Sequence, residues 1–159
     1  MESHILRYKS YYKEANKHLE RLEKAFKKLH AFGYLPLDKE SVKTILENDD
    51  LVPTLDQIIY RYSKLQETLG KLIRAYLYLK GENVENMPII DVINMASKYG
   101  IALDKEKWFE LRELRNILVH EYEDELFKIA GTLNKIFKEI DLIKEVVKQL
   151  RLVVLSKDS

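Results

Sequence analysis

The chain has 159 residues, with 27 lysines and arginines against 26 aspartates and glutamates, five glycines, three prolines and no cysteine. That length suits one domain over 1–159, and the lack of thiols excludes a disulfide scaffold, a cysteine nucleophile, a Cys-ligated zinc and an iron–sulfur site. No apolar run approaches the ~18 residues of a membrane span, and Met1-Glu2-Ser3-His4 does not open a signal peptide, so a cytoplasmic protein is expected.

Apolar residues first recur in steps of three and four through Ile5, Tyr8, Tyr12, Ala15, Leu19, Leu22, Phe26 and Leu29, the period that lines one face of a helix. Gly33-Tyr34-Leu35-Pro36 closes that helix, and a minor one is expected over Lys39 to Glu47. Pro53 precedes a second long seam, Ile58, Tyr62, Leu65, Leu69, Leu72, Tyr76 and Leu79, with Thr54-Leu55-Asp56-Gln57 as its capping box and Gly81 as its stop. A short helix is expected from Pro88 to Lys98, ended by Gly100. Asp104 caps another that runs through Trp108 to about Val119. The last seam is Leu126, Ile129, Leu133, Ile136, Ile140, Ile143, Val147, Leu150 and Val154. The long helices should each have roughly 27–32 residues and span about 40–48 Å. With no strand-like alternation, the fold class is all-α: an up-and-down bundle of four to six helices.

Charge is distributed unevenly. Residues 1–30 are net +4, 31–103 net −2, 104–125 net −4 and 126–159 net +3. A basic surface should therefore come from the chain ends or from a dimer.

His4, His18 and His30 fall on the basic first helix and read as a solvated face. There is no H-E-x-x-H, P-loop or G-x-G-x-x-G, so a zinc protease, a P-loop NTPase and a dinucleotide enzyme lack support. Asp49-Asp50 and Glu123-Asp124-Glu125 sit at helix junctions, where carboxylates cap N-termini, and are weak metal candidates. His120 lies in Trp108-Phe109-Glu110-Leu111-Arg112-Glu113-Leu114-Arg115-Asn116-Ile117-Leu118-Val119-His120-Glu121-Tyr122. On an ideal helix Arg115 shares a face with Tyr122, and Asn116 shares one with His120, but Arg115 and His120 stand about 140° apart. They meet in one pocket only if the helix ends near Val119 and frees the histidine, or if two copies pool their residues.

Arg115-Asn116, three residues and then His120-Glu121-Tyr122 resembles the R-x4-H-x-Y signature of the HepT-like branch of the HEPN superfamily. The lead-in from Trp108, the stretch Ile59-Tyr60-Arg61-Tyr62-Ser63-Lys64-Leu65-Gln66-Glu67-Thr68-Leu69-Gly70 and the short helix around Ile89-Ile90-Asp91-Val92-Ile93 are similar to that family's segments. The likeness covers about Thr54 to Tyr122. It implies a dimeric helical bundle acting as a metal-independent endoribonuclease toxin, with the arginine and histidine of both chains lining a shared cleft. It also implies a minimal nucleotidyltransferase antitoxin that adds AMP to the tyrosine of the motif. Carried over by residue, Arg115 and His120 are the catalytic candidates, Asn116 the polar support and Tyr122 the AMP acceptor. Arg61, Lys64 and Arg112 are further candidates for binding RNA, tRNA being one possible substrate.

The chemistry suits those residue types. RNA supplies its own nucleophile, the 2′-hydroxyl, so cleavage needs proton transfer and stabilisation of phosphorane charge. Histidine, with an ordinary pKa of about 6.5, transfers protons near neutrality. Arginine stays charged and offers a planar fork to two phosphate oxygens. No metal or other cofactor is required. Two other assignments compete. In one, the chain is a non-catalytic subunit that binds or regulates a nucleotidyltransferase. In the other, it is a helical interaction module in which Arg115 pairs with Glu113 or Glu121, His120 is buried and Tyr122 joins the core. Trp108, Leu111, Leu114 and Leu118 are assigned to packing in every case.

Overall fold

Each of the apolar seams covers only one side of its helix, so none is stable alone and each must bury its stripe against the others. The computed structural model describes residues 2–120 and 125–153. They form six helices: α1 (Glu2–Ala31), α2 (Lys39–Leu46), α3 (Val52–Leu79), α4 (Ile89–Lys98), α5 (Lys105–His120) and α6 (Leu126–Gln149). No strand occurs among the described residues, and no helix among them is long and apolar enough to cross a membrane.

The four longest helices close a ring in which α1 touches α3 and α6, and α5 touches the same two from the other side. α2 rests on α6 and α3, and α4 on α3 and α5. His4 stacks on Tyr78 and His18 meets Tyr60, so α1 and α3 run antiparallel. Tyr8 meets Leu150 and Phe26 meets Phe137, so α1 and α6 are antiparallel too. Inside the ring the seams meet as expected: Leu22, Leu29, Ile58, Leu72, Leu133 and Ile136 have no exposed surface. Burying each such side chain contributes about 1.5–3 kcal/mol. α5 adds Trp108, Leu111, Leu114 and Leu118, all buried. The Tyr62 hydroxyl donates to the Leu111 carbonyl at 2.6 Å and ties α3 to the middle of α5. Burial, helped by Glu139 and Glu110, holds that hydroxyl well above its usual pKa, so it remains a donor.

Several helix ends follow from local chemistry. At Gly81, φ is +95° and the Glu82 N–H reaches back to the Leu77 carbonyl, a left-handed stop that favours glycine. Asp104 caps α5 by accepting from the Lys107 N–H at 2.8 Å. Asp38 and Ser41 form a reciprocal capping box on α2.

Two boundaries depart from expectation. α3 starts at Val52, before Thr54, which is itself buried in the first turn; no side chain caps the helix, and Pro53 occupies that turn. Burial of Leu51 in the core sets this start, and proline's fixed φ suits a first turn whose N–H groups lack intrahelical partners. α6 ends at Gln149, short of Val154, which lies outside the described residues. Tyr8 fixes that end: its hydroxyl donates to the Leu150 carbonyl at 2.6 Å and accepts the Leu152 N–H at 2.7 Å. Tyr8→Phe strands both backbone groups, so we expect a loss of about 1–3 kcal/mol in urea unfolding. A loss below about 0.5 kcal/mol would mean that the hydroxyl does not hold this end.

Candidate functional site

α5 faces α3 and the first turns of α1 across a groove of about 620 Å³. Arg115 stands in its wall with a quarter of its side chain exposed. One guanidinium nitrogen, Nη1, lies 3.6 Å from Glu67 Oε1, and Nη2 donates to Asn116 Oδ1 at 3.1 Å. Glu67 also lies 3.7 Å from Lys64 Nζ, so one carboxylate links two of the candidate cations. Arg115 Nε is buried and has no hydrogen-bond partner among the described residues.

Two turns earlier on α5, Trp108 packs against Gly70. A Cβ at residue 70 would sit 3.1 Å from the indole ring, so the absence of a side chain permits this approach. Arg112, exposed, completes the α5 side of the groove. Arg7 arrives from α1, and Lys71 and Arg74 from α3. Arg74 also donates to the carbonyls of Val84 and Met87, bracing the α3–α4 loop.

The groove is thus lined by five fixed cations against the carboxylates Glu67 and Glu85. This corrects the expectation that a basic surface needs the chain ends or a dimer: residues of α3 and α5 supply four of the five within one chain. None of the α5 acids Glu106, Glu110 and Glu113 lines the groove. Glu110 pairs with Lys107 at 3.1 Å, and Glu139 holds the same lysine at 2.9 Å.

The remaining candidates are dispersed. Arg61 faces α1, with Nη1 3.0 Å from His18 Nδ1 and its guanidinium 5.3 Å from the Tyr60 ring centre; it does not line the groove. Lys64 lies 5.9 Å from the same ring. His120 is the last residue of α5 and is exposed. α5 ends at His120, one residue past the expected end near Val119, and ideal helical geometry places it about 140° from Arg115. His120 does not line the groove that holds Arg115. Tyr122 lies outside the described residues. Of the purely structural assignment, Arg115 pairs with Glu67 and not with Glu113 among the described residues, and His120 is not buried, while Glu121 and Tyr122 lie outside the described residues.

Asp49-Asp50 does not cap α3, which has no side-chain cap, and Glu125 precedes α6 without a capping bond; Glu123 and Asp124 lie outside the described residues. His4 and His18 are only partly exposed. His4 stacks on Tyr78 with ring centres 3.9 Å apart, and only His30 of the three is exposed.

His18 is held below its ordinary pKa, first by burial and then by the Arg61 charge, with Glu14 opposing. An unfolded histidine takes up a proton near pH 6.5 that the folded one resists. The stabilisation is therefore fully present above about pH 6.5 and is lost as pH falls towards the lower folded value. We expect His18→Asn, which keeps an uncharged acceptor for Arg61, to flatten the loss of stability between about pH 7 and pH 5. An unchanged slope would show that His18 does not set it.

Arg7, Lys71, Arg74 and Gly70 escaped the sequence reading, although a signal existed. Residues 67, 71, 74 and 78 of α3 follow the same three-and-four step as its core seam, displaced around the helix. Comparison with protein-family models, with curated proteins and with solved structures gives no match to this chain.

Proposed function

We propose that the chain is a metal-independent endoribonuclease of the HepT-like kind, with Arg115 and His120 as its reacting pair. The observation that carries this reading is the place of Arg115: its guanidinium is steadied by Glu67 and Asn116 at the wall of a cation-lined groove, while His120 of the same helix is open to solvent.

In this reaction His120 accepts the proton of the ribose 2′-hydroxyl as that oxygen attacks the adjacent phosphorus. The bond to the 5′-oxygen breaks, and that oxygen takes a proton from water as it leaves, giving a 2′,3′-cyclic phosphate. Arg115 holds the phosphate oxygens and stabilises the charge of the phosphorane. Because the two residues point apart on one helix, the site is composed across a dimer, His120 of one copy serving Arg115 of the other. The exposed apolar side chains of Val119 and Phe127, near His120 in the chain, support such a contact. In this scheme a nucleotidyltransferase partner silences the enzyme through AMP on Tyr122, which adds a phosphate seven residues from Arg115.

Complementation tests the shared site. Arg115→Ala and His120→Ala are each expected to be inactive. Refolded together, they should recover about a quarter of wild-type activity, since half the dimers are then mixed and each holds one intact site. Light scattering should give a dimer mass. A strict monomer, or no recovery on mixing, would contradict a composite site.

A further inference from the structure

We propose that the outer face of α1 docks on an anionic membrane surface. None of the cations on that face lines the groove that holds Arg115, so the proposal is independent of the ribonuclease reading.

At 100° per residue the buried residues of α1, among them Tyr8, Ala15, Leu19, Leu22, Phe26 and Leu29, share one side of the helix. Leu6, Lys13, Lys17, Lys24 and Lys28 all fall within about 40° of the opposite direction, straight out from the bundle, and all are exposed. Arg21 and Lys27, also exposed, flank that line by about 60° on either side. From Lys13 to Lys28 the row of charge is about 22 Å long. Between Leu6 and Lys28, Glu20 is the only acid within about 60° of the outward direction, and Lys24 already holds it at 3.1 Å.

Such a row costs the free protein stability. Lys13 and Lys17, Lys17 and Arg21, and Lys24 and Lys28 are like charges four residues apart, and each pair is mildly repulsive. The chain as a whole is nearly neutral, at +1, so the row does not serve to raise its net charge. A plane of anionic headgroups relieves the repulsion along the whole row at once, and each cation held near it adds to the attraction.

Two apolar side chains favour a bilayer over a nucleic acid. Leu6 is 64% exposed on the line of the lysines, and Phe32, one turn past Lys28, is 58% exposed. An aliphatic side chain gains nothing from a phosphate backbone but is taken up at the boundary between headgroups and acyl chains. No aromatic ring lies on the outer face between Lys13 and Lys28 for bases to stack on. Five of the six cations are lysines, which act as point charges and lack the fork by which arginine grips a single phosphate.

Sedimentation of the intact chain with lipid vesicles tests this. Binding to phosphatidylcholine vesicles with about 30% phosphatidylserine should exceed binding to phosphatidylcholine alone by about tenfold or more, and should be lost in about 0.5 M salt. Lys13→Gln together with Lys17→Gln should weaken it by about 25-fold, about fivefold for each cation. Lys98→Gln together with Lys105→Gln removes as much charge from exposed sites on other helices and should change it by less than about threefold. Leu6→Ser together with Phe32→Ser keeps the charge and should weaken binding by about fivefold or more. All the replaced side chains are exposed, so circular dichroism should match wild type throughout. No binding to the anionic vesicles, equal binding to neutral ones, equal effects of the two lysine pairs, or no effect of the apolar pair would each overturn the proposal. So would a short 2′-O-methyl oligonucleotide that binds more tightly than the vesicles and is weakened as much by the Lys13 and Lys17 substitutions, since the face would then serve a nucleic acid.

Discussion

His120→Ala is expected to lower RNA cleavage by about 10²–10⁴-fold while shifting folding stability by no more than about 0.5 kcal/mol. The first figure is the usual worth of a positioned proton-transfer group. The second follows from the exposure of His120 in the last turn of α5, where no packing is lost. Arg115→Ala should cost a similar factor in rate, with at most about 1 kcal/mol in stability, because its pair with Glu67 is partly exposed. Arg115→Lys separates charge from geometry: it keeps the cation but removes the fork that grips two phosphate oxygens, and should recover only part of the rate. Single-turnover cleavage and urea unfolding on the same preparations check both halves. A His120→Ala protein that cleaves like wild type would remove the histidine from the mechanism.

Trp108→Ala is the substitution expected to cost most stability, about 3–5 kcal/mol. The ring is buried between α3 and α5, its edge occupies the space above Gly70, and α4 packs beside it through Ile89. Deleting it leaves a cavity where α3, α4 and α5 meet. Trp108→Phe keeps a ring there and should lose far less. Equilibrium unfolding followed by circular dichroism decides it; a Trp108→Ala loss below about 1 kcal/mol would show that the α3–α5 contact survives without the indole.

The helices were legible because their causes are local. A three-and-four step of apolar residues, an aspartate at 104 and glycines at 81 and 100 each act within a few residues, and each appears in the structure where the sequence places it. The errors have tertiary causes. Thr54 looked like a cap, but with Leu51 buried in the core the helix starts three residues earlier, with Leu51 at the cap position. Val154 looked like the end of a seam, but the hydroxyl of Tyr8, more than 140 residues away, takes the backbone groups at 150 and 152.

The site divides in the same way. Arg112, Arg115 and Asn116 were readable from one helix. Arg7, Lys71 and Arg74 were not, because their value depends on which face of α1 and α3 turns towards α5. Charge summed along the chain misled for a related reason: it counts Glu110 against the groove, although Lys107 has already claimed it. Likewise His4 and His18 read as solvated until the antiparallel pairing of α1 and α3 supplied Tyr78 and Arg61.

The most direct measurement is cleavage of a mixed tRNA pool by the purified chain in excess EDTA, beside Arg115→Ala and His120→Ala, with the new ends identified chemically. An Arg/His ribonuclease predicts 2′,3′-cyclic phosphate ends from wild type and none from either variant. No cleavage by folded, unmodified wild-type protein, or equal cleavage by all three, would contradict it.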